Sequence, residues 1–175
     1  MEKNYHHGDV PSALMQAALL RIKEEGVEKL SLRAIARDIG VSQTAPYRHF
    51  KDKNDLLVAL ACAGFNDLAK AELHLLKCSN LPKGLMKAGI AYIYYAKNNP
   101  EQYRLMFGGK IENRCEQPEL QASGEAAFEV IASFTTRGVA SGDFINKDPL
   151  VLAKSCWAFV HGLASLTIDG FFEDL

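Results

Sequence analysis

Apolar residues recur at three- and four-residue intervals along most of this 175-residue chain. No segment sustains the alternation of a half-buried strand between turn signals, so the expected fold is all-α. Asp9 is a candidate cap for a first helix with Pro11 in its first turn and Leu14, Ala17, Ala18 and Ile22 on one face. Gly26 is its expected stop. Ser31 opens a second helix with Leu32, Ile35, Ala36 and Ile39 on one stripe, ended by Gly40. Ser42 caps a third. Asp52, with Asp55 three residues on, caps a fourth that runs through Leu56, Leu57, Leu60 and Phe65 toward Cys78. Asn80 to Pro82 is a break, and the next helix ends near Asn99 and Pro100. A short helix around Tyr103–Phe107 and a loop to Cys115 follow. Pro118 opens a helix to about Arg137, Gly138 and Gly142 frame a turn, and Asp148–Pro149 opens a last helix closed by Gly170.

The character of the chain changes near residue 55. Residues 1–54 read as a small N-terminal module, and residues 55–175 as a larger helical bundle.

Within the module, residues 31–50 form two short helices around a glycine turn, the sequence form of a helix-turn-helix. On a 3.6-residue wheel, Pro46 and Phe50 share one face and would pack inward. Thr44 and Arg48 centre the opposite face, flanked by Gln43 and Tyr47 on one side and Ala45 and His49 on the other. That face suits a major groove. Arginine can pair with guanine O6 and N7, glutamine with adenine N6 and N7, and Thr44 and Ala45 can offer methyls to thymine. Tyr47 and His49 are candidates for phosphate. Pro46 removes an early backbone donor, so a distorted start to this helix is expected. Lys53 sits in the first turn of the fourth helix, where the macrodipole disfavours a cation. With that helix N-terminus it would make a phosphate seat.

Ser31, Leu32, Arg33, Ile35, Ala36, then Gly40, Val41, Ser42, then Tyr47, Arg48, His49, Phe50 and Lys53 together resemble the DNA-binding domain of TetR-family transcriptional regulators. The match covers about residues 9–58. It adds Arg33 and Ser42 to the candidate DNA contacts. Tyr5-His6-His7-Gly8-Asp9 and Trp157-x-x-x-His161-Gly162-Leu163 are similar to the branch called the WHG type. Most of the wider family has Leu, Val or Ile where this chain has Pro46. The resemblance implies a homodimer whose first three helices read a double-stranded DNA operator. The remaining helices would hold a small-molecule effector pocket, and the last two would build a four-helix dimer interface. Effector binding would change the spacing of the two readers, and most such proteins repress transcription.

Composition adds limits. Lys and Arg number 20 against 21 Asp and Glu, a net charge of −1, so DNA affinity must come from placement and not from excess charge. Cys62, Cys78, Cys115 and Cys156 lie too far apart for a metal or redox motif and read as reduced thiols, with Cys115 a candidate regulatory one. No metal site and no cofactor are expected, and two adjacent histidines, His6 and His7, suit an arm near DNA better than a metal. No uninterrupted apolar run approaches the roughly 18 residues of a membrane helix, and the polar N-terminus has no signal core. A cytoplasmic location without membrane contact is therefore expected.

The last helix carries two apolar stripes: Leu150, Ala153, Trp157, Val160 and Ala164, and Leu152, Cys156, Phe159, Leu163 and Leu166. One monomer could cover the first stripe and a symmetry mate the second; burial within a single large core is the alternative. In the helix from Pro118, small Ser123 and Ala126 beside Leu120, Gly124, Ala127, Ile131 and Phe134 permit close helix contact. Tyr92, Tyr95, Tyr103, Met106, Phe107, Phe128, Trp157 and His161 are candidates for lining an effector pocket, and equally for a core whose polar tips find partners. His161 fits a hydrogen-bonded core histidine better than a ligand contact. An enzyme has no support in nucleophile motifs, paired carboxylates or a phosphate loop. A DNA-binding protein of chromosome organisation, without effector control, stays open beside the regulator.

Overall fold

A computed structural model of the protein describes residues 10–172. Among them are seven α-helices and no strand: α1 (Val10–Glu25), α2 (Leu32–Asp38), α3 (Lys53–Leu73), α4 (Leu81–Asn98), α5 (Pro100–Phe107), α6 (Pro118–Ser141) and α7 (Pro149–Ile168). The Asp9 cap and the Tyr5–Asp9 lead-in lie outside the described residues.

Helix ends follow local chemistry. Gly26, Gly40, Gly142 and Gly170 take positive φ, the conformation that ends a helix at low steric cost for glycine. Asp52, Asn80 and Asp148 each accept a backbone N–H from the first turn of the helix they precede. Ser31 holds the capping position of α2 without a side-chain bond.

Two boundaries differ from the periodicity. The third helix expected after Ser42 is a turn followed by a 3₁₀ segment, Pro46–Arg48. Proline lacks the N–H and crowds the preceding turn, so i→i+3 bonds replace the α ladder: the Arg48 and His49 amides reach the Ala45 and Pro46 carbonyls. The sixth helix does not stop at Arg137. It runs through Gly138 to Ser141, and the missing side chain at Gly138 leaves room for the Phe144 ring to fold back against the helix. Phe144 is pinned by its amide bonding to the Gly138 carbonyl.

One buried cluster joins the two halves. Leu14, Ala18 and Ile22 of α1, Ile35 of α2 and Phe50 pack with Leu56, Leu60, Phe65 and Leu68 of α3. The same cluster continues into Tyr92, Tyr103, Met106, Leu120 and Val160. Helix α3 is therefore common to both parts of the core. At Gly64 on α3 the backbone lets Met106 approach closely: a Cβ there would lie 2.6 Å from Met106 Sδ.

Helix α7 is long and apolar enough to cross a membrane by length and composition alone. No run announced this in the sequence because Lys154, Ser155 and His161 interrupt it. In the bundle α7 packs through Ala153, Val160 and Ala164, all buried.

Candidate nucleic-acid interface and effector region

The reader is built on a two-helix frame. Arg21 of α1 forks onto both carboxylate oxygens of Asp38 in α2, with Nη2 to Oδ1 at 2.9 Å. This guanidinium holds the Asp38 carboxyl below its usual range. Beneath α2, Leu32, Ile35 and Ala36 are buried. The Val41 amide returns to the Ala36 carbonyl, and the chain turns over Gly40.

The following segment presents itself as the wheel anticipated, though it is not an α-helix. Pro46 and Phe50 are buried. Ser42, Gln43, Thr44, Tyr47, Arg48 and His49 are exposed, and Ala45 is half-buried. Proline and phenylalanine anchor the turn from below, and the polar side chains form a crown above it. Ser42 and Thr44 share a hydroxyl contact of 3.2 Å. Arg33 is exposed on α2, away from the buried stripe.

Lys53 is the first residue of α3, as expected, but its ammonium is not free. It donates to the Glu28 carbonyl at 3.1 Å. Two carboxylates occupy the helix start: Asp52 accepts from the Asp55 amide and Asp55 from the Lys51 amide, at 2.9 and 2.8 Å. These acids already complement the positive end of the helix dipole. The free phosphate seat read from the sequence is therefore partly filled from within.

A second layer, which sequence reasoning missed, ties this corner to the loop after α5. The Asn54 side chain donates to the Glu112 carbonyl and accepts the Glu112 amide at 2.8 Å. Lys110 pairs with Glu28 and draws that carboxyl below its usual range. An asparagine at a helix start and a lysine in a glycine loop carry no pattern that would link them across more than fifty residues.

Of the eight candidate pocket residues, six meet in one aromatic cluster. The Tyr92 ring lies edge-on to Tyr103 and Trp157 at 5.8 and 5.7 Å. Phe107 meets His161 at 4.5 Å, and Phe128 meets Trp157 at 5.5 Å. Three polar tips converge inside it. His161 Nδ1 is 2.6 Å from the Tyr103 hydroxyl and 3.1 Å from the Tyr92 hydroxyl. Burial pulls the His161 pKa down and pushes both phenols up, so the imidazole is held neutral as a partner for the phenols. Met106 is buried against α3, and Tyr95 keeps a buried hydroxyl without a hydrogen-bond partner. None of the eight lines the apolar groove of about 440 Å³ between α4 and α7. Leu85, Met86, Ile90, Phe159 and Leu163 are among its walls. Of the second stripe on α7, Phe159 is 71% and Leu166 39% exposed, with Leu152, Cys156 and Leu163 half-buried. Burial of both stripes within one monomer is thereby excluded.

The four cysteines are free; Cys115 is exposed, and burial raises the Cys62 and Cys156 thiols. Among the described residues no group of three metal-ligating side chains forms.

Comparisons with known proteins agree with this geometry. Residues 14–60 match the family model "Bacterial regulatory proteins, tetR family", and residues 85–175 match "Tetracyclin repressor-like, C-terminal domain". The HTH-type transcriptional regulator Rv1816 of Mycobacterium tuberculosis is 24% identical over 140 residues, 77% of this chain and 59% of that protein. The chain thus spans less than two thirds of the length of that curated relative. A protein of unknown function from Rhodococcus sp. RHA1 has a similar structure, with TM-score 0.86 and 31% identity over 99% of this chain and 90% of that one. The Bacillus subtilis regulator FadR, solved with stearoyl-CoA, shares the fold at TM-score 0.79 and 15% identity, over 93% of this chain and 90% of that one.

Proposed function

The chain belongs to the TetR family of bacterial transcriptional regulators, and from that premise we propose that it is a ligand-responsive repressor that binds a palindromic operator as a homodimer. The observation that carries this reading is the crown of Gln43, Thr44, Tyr47, Arg48 and His49 held out by buried Pro46 and Phe50. Arg48 and Gln43 read base edges, Thr44 and Ala45 meet thymine methyls, and Ser42, Tyr47, His49 and Arg33 take phosphates. Lys53 reaches a phosphate with the donors that Glu28 leaves unused.

One reader on a chain of net charge −1 binds weakly, so a second copy is required. The exposed apolar arc of α7 is the candidate face. Its neighbour α6 exposes Ala122, Glu125, Ala126 and Glu129, so of the last two helices α7 supplies the large apolar side chains and α6 the small ones. The aromatic cluster around Tyr92, Tyr103, Trp157 and His161 is the effector region. The protein acts in the cytoplasm, without catalysis.

Selection of bound duplexes from a random pool at moderate salt tests the reading. A two-fold symmetric sequence with half-sites one or more helical turns apart is expected, with steep salt dependence. Failure to enrich any sequence would refute it. The rival without effector control is separated by linkage: a small molecule that raises the melting temperature must also release the DNA.

A further inference from the structure

Four polar or charged side chains are buried among the described residues: Glu72, Gln102, Thr135 and Thr167. Three are satisfied. Gln102 donates to the Leu60 carbonyl at 2.9 Å, and Thr135 and Thr167 bond back to their own helices. Glu72 is the exception. It is fully buried at the last turn of α3, and neither carboxylate oxygen has a hydrogen-bond partner. An apolar residue of similar size would fit such a place at lower cost, so an unpaired carboxyl there calls for a ligand.

We propose that Glu72 anchors the ammonium head of a small-molecule effector, a primary or secondary amine on an apolar body. This rests on the effector-controlled regulator reading and names its ligand class. The surroundings suit that head. Glu72 lies within electrostatic reach of Tyr92, whose ring meets Trp157 and Tyr103 edge-on. An ionised carboxylate attracts a cation and repels an anionic head. A metal ion is a poorer occupant, because no second and third ligand stand beside Glu72. Burial pushes the Glu72 pKa up to about 8, so the carboxyl is largely protonated at neutral pH. Arrival of an ammonium would expel that proton to solvent. The position also couples. Glu72 lies near one end of α3, and Lys53 and Asn54 lie at the other, roughly 30 Å away along the helix.

The test uses the full chain, wild type and Glu72→Gln, titrated with n-octylamine and with octanoate, which share an apolar body and differ in head charge. Octylamine is expected to raise the wild-type melting temperature and to bind at least about tenfold tighter than octanoate, a preference that Glu72→Gln abolishes. Calorimetry of the wild type in two buffers of different ionisation enthalpy should show proton release on amine binding. It needs no variant, so it stands if Glu72→Gln folds poorly. Octanoate binding as well as octylamine, an unchanged preference in Glu72→Gln, no amine binding, or no proton release would each overturn the proposal. Operator retention is measured separately. If ligand-free wild type selects no DNA, the regulator reading fails whatever the amine does. If octylamine binds at Glu72 and leaves the operator complex intact, the effector role of Glu72 fails and the regulator reading survives.

Discussion

The reader corner and the last helix solve opposite problems. Residues 31–53 are short, weakly regular and polar on their outer surface, and two buried side chains, Pro46 and Phe50, hold the crown in place. Helix α7 is long and regular, yet Phe159 and Leu166 stay exposed. The crown tolerates exposure because its polar groups are hydrated by water. The apolar arc does not, since exposed apolar surface is unfavourable in water. The contrast is what the proposed function requires: a reader complete within one chain, and on α7 one half of a shared surface.

The strongest way to break the contrast is to change the arc itself. Phe159→Lys should convert the protein to monomer and cut operator affinity by roughly a hundredfold or more, while the folding transition barely moves. Sedimentation and a binding isotherm would decide it, and an unchanged dimer would remove α7 from the interface.

Next in size is the interior of the bundle. Trp157→Ala removes a ring packed against Tyr92, Phe107 and Phe128, and should cost about 3–5 kcal/mol in denaturant unfolding. A small loss of stability with a lost effector response would instead assign the ring to the ligand.

Glu72 supplies a pH signature of similar magnitude. Its folded pKa is raised above the unfolded value of 4.5, so its contribution is intact below that value and is lost as pH rises toward about 8. The wild type should therefore lose on the order of 4 kcal/mol relative to Glu72→Gln between mildly acid and mildly alkaline pH. Parallel pH profiles for the two proteins would refute this.

The reader yields smaller changes that sharpen its roles. Arg48→Ala should relax preference at one operator position by ~1–3 kcal/mol. Lys53→Ala should weaken all sequences alike and flatten the salt slope, less than a free lysine would, because Glu28 already holds part of it. The smallest effect concerns Asp38. Its folded pKa is lowered, so the Arg21 pair stabilises above the unfolded pKa and is lost as pH falls through the folded one. Asp38→Asn should flatten the acid limb of the melting curve slightly, and an unchanged limb would show that solvent screens the pair.

Much of the site was legible because its signals are local. Gly40, Pro46 and Phe50 act on their own neighbours, so a wheel sorted the inward from the outward side chains although the segment is 3₁₀ and not α. The Asn54–Glu112 clasp and the Lys110–Glu28 pair were not legible, since each joins residues distant in sequence that share no spacing rule. No motif or spacing singles out Glu72, because its burial depends on helices distant in sequence.

The sequence by itself determined the helical content, most helix ends, the reader's two faces and the double apolar stripe of α7. Periodicity, caps and glycine conformations are nearest-neighbour physics. Only the tertiary structure decided which stripe stays uncovered, which carboxyl is stranded without a partner and where the Lys53 ammonium goes. Those outcomes depend on which distant helices fill the space, and burial of a charge or an apolar face is a property of the packed whole.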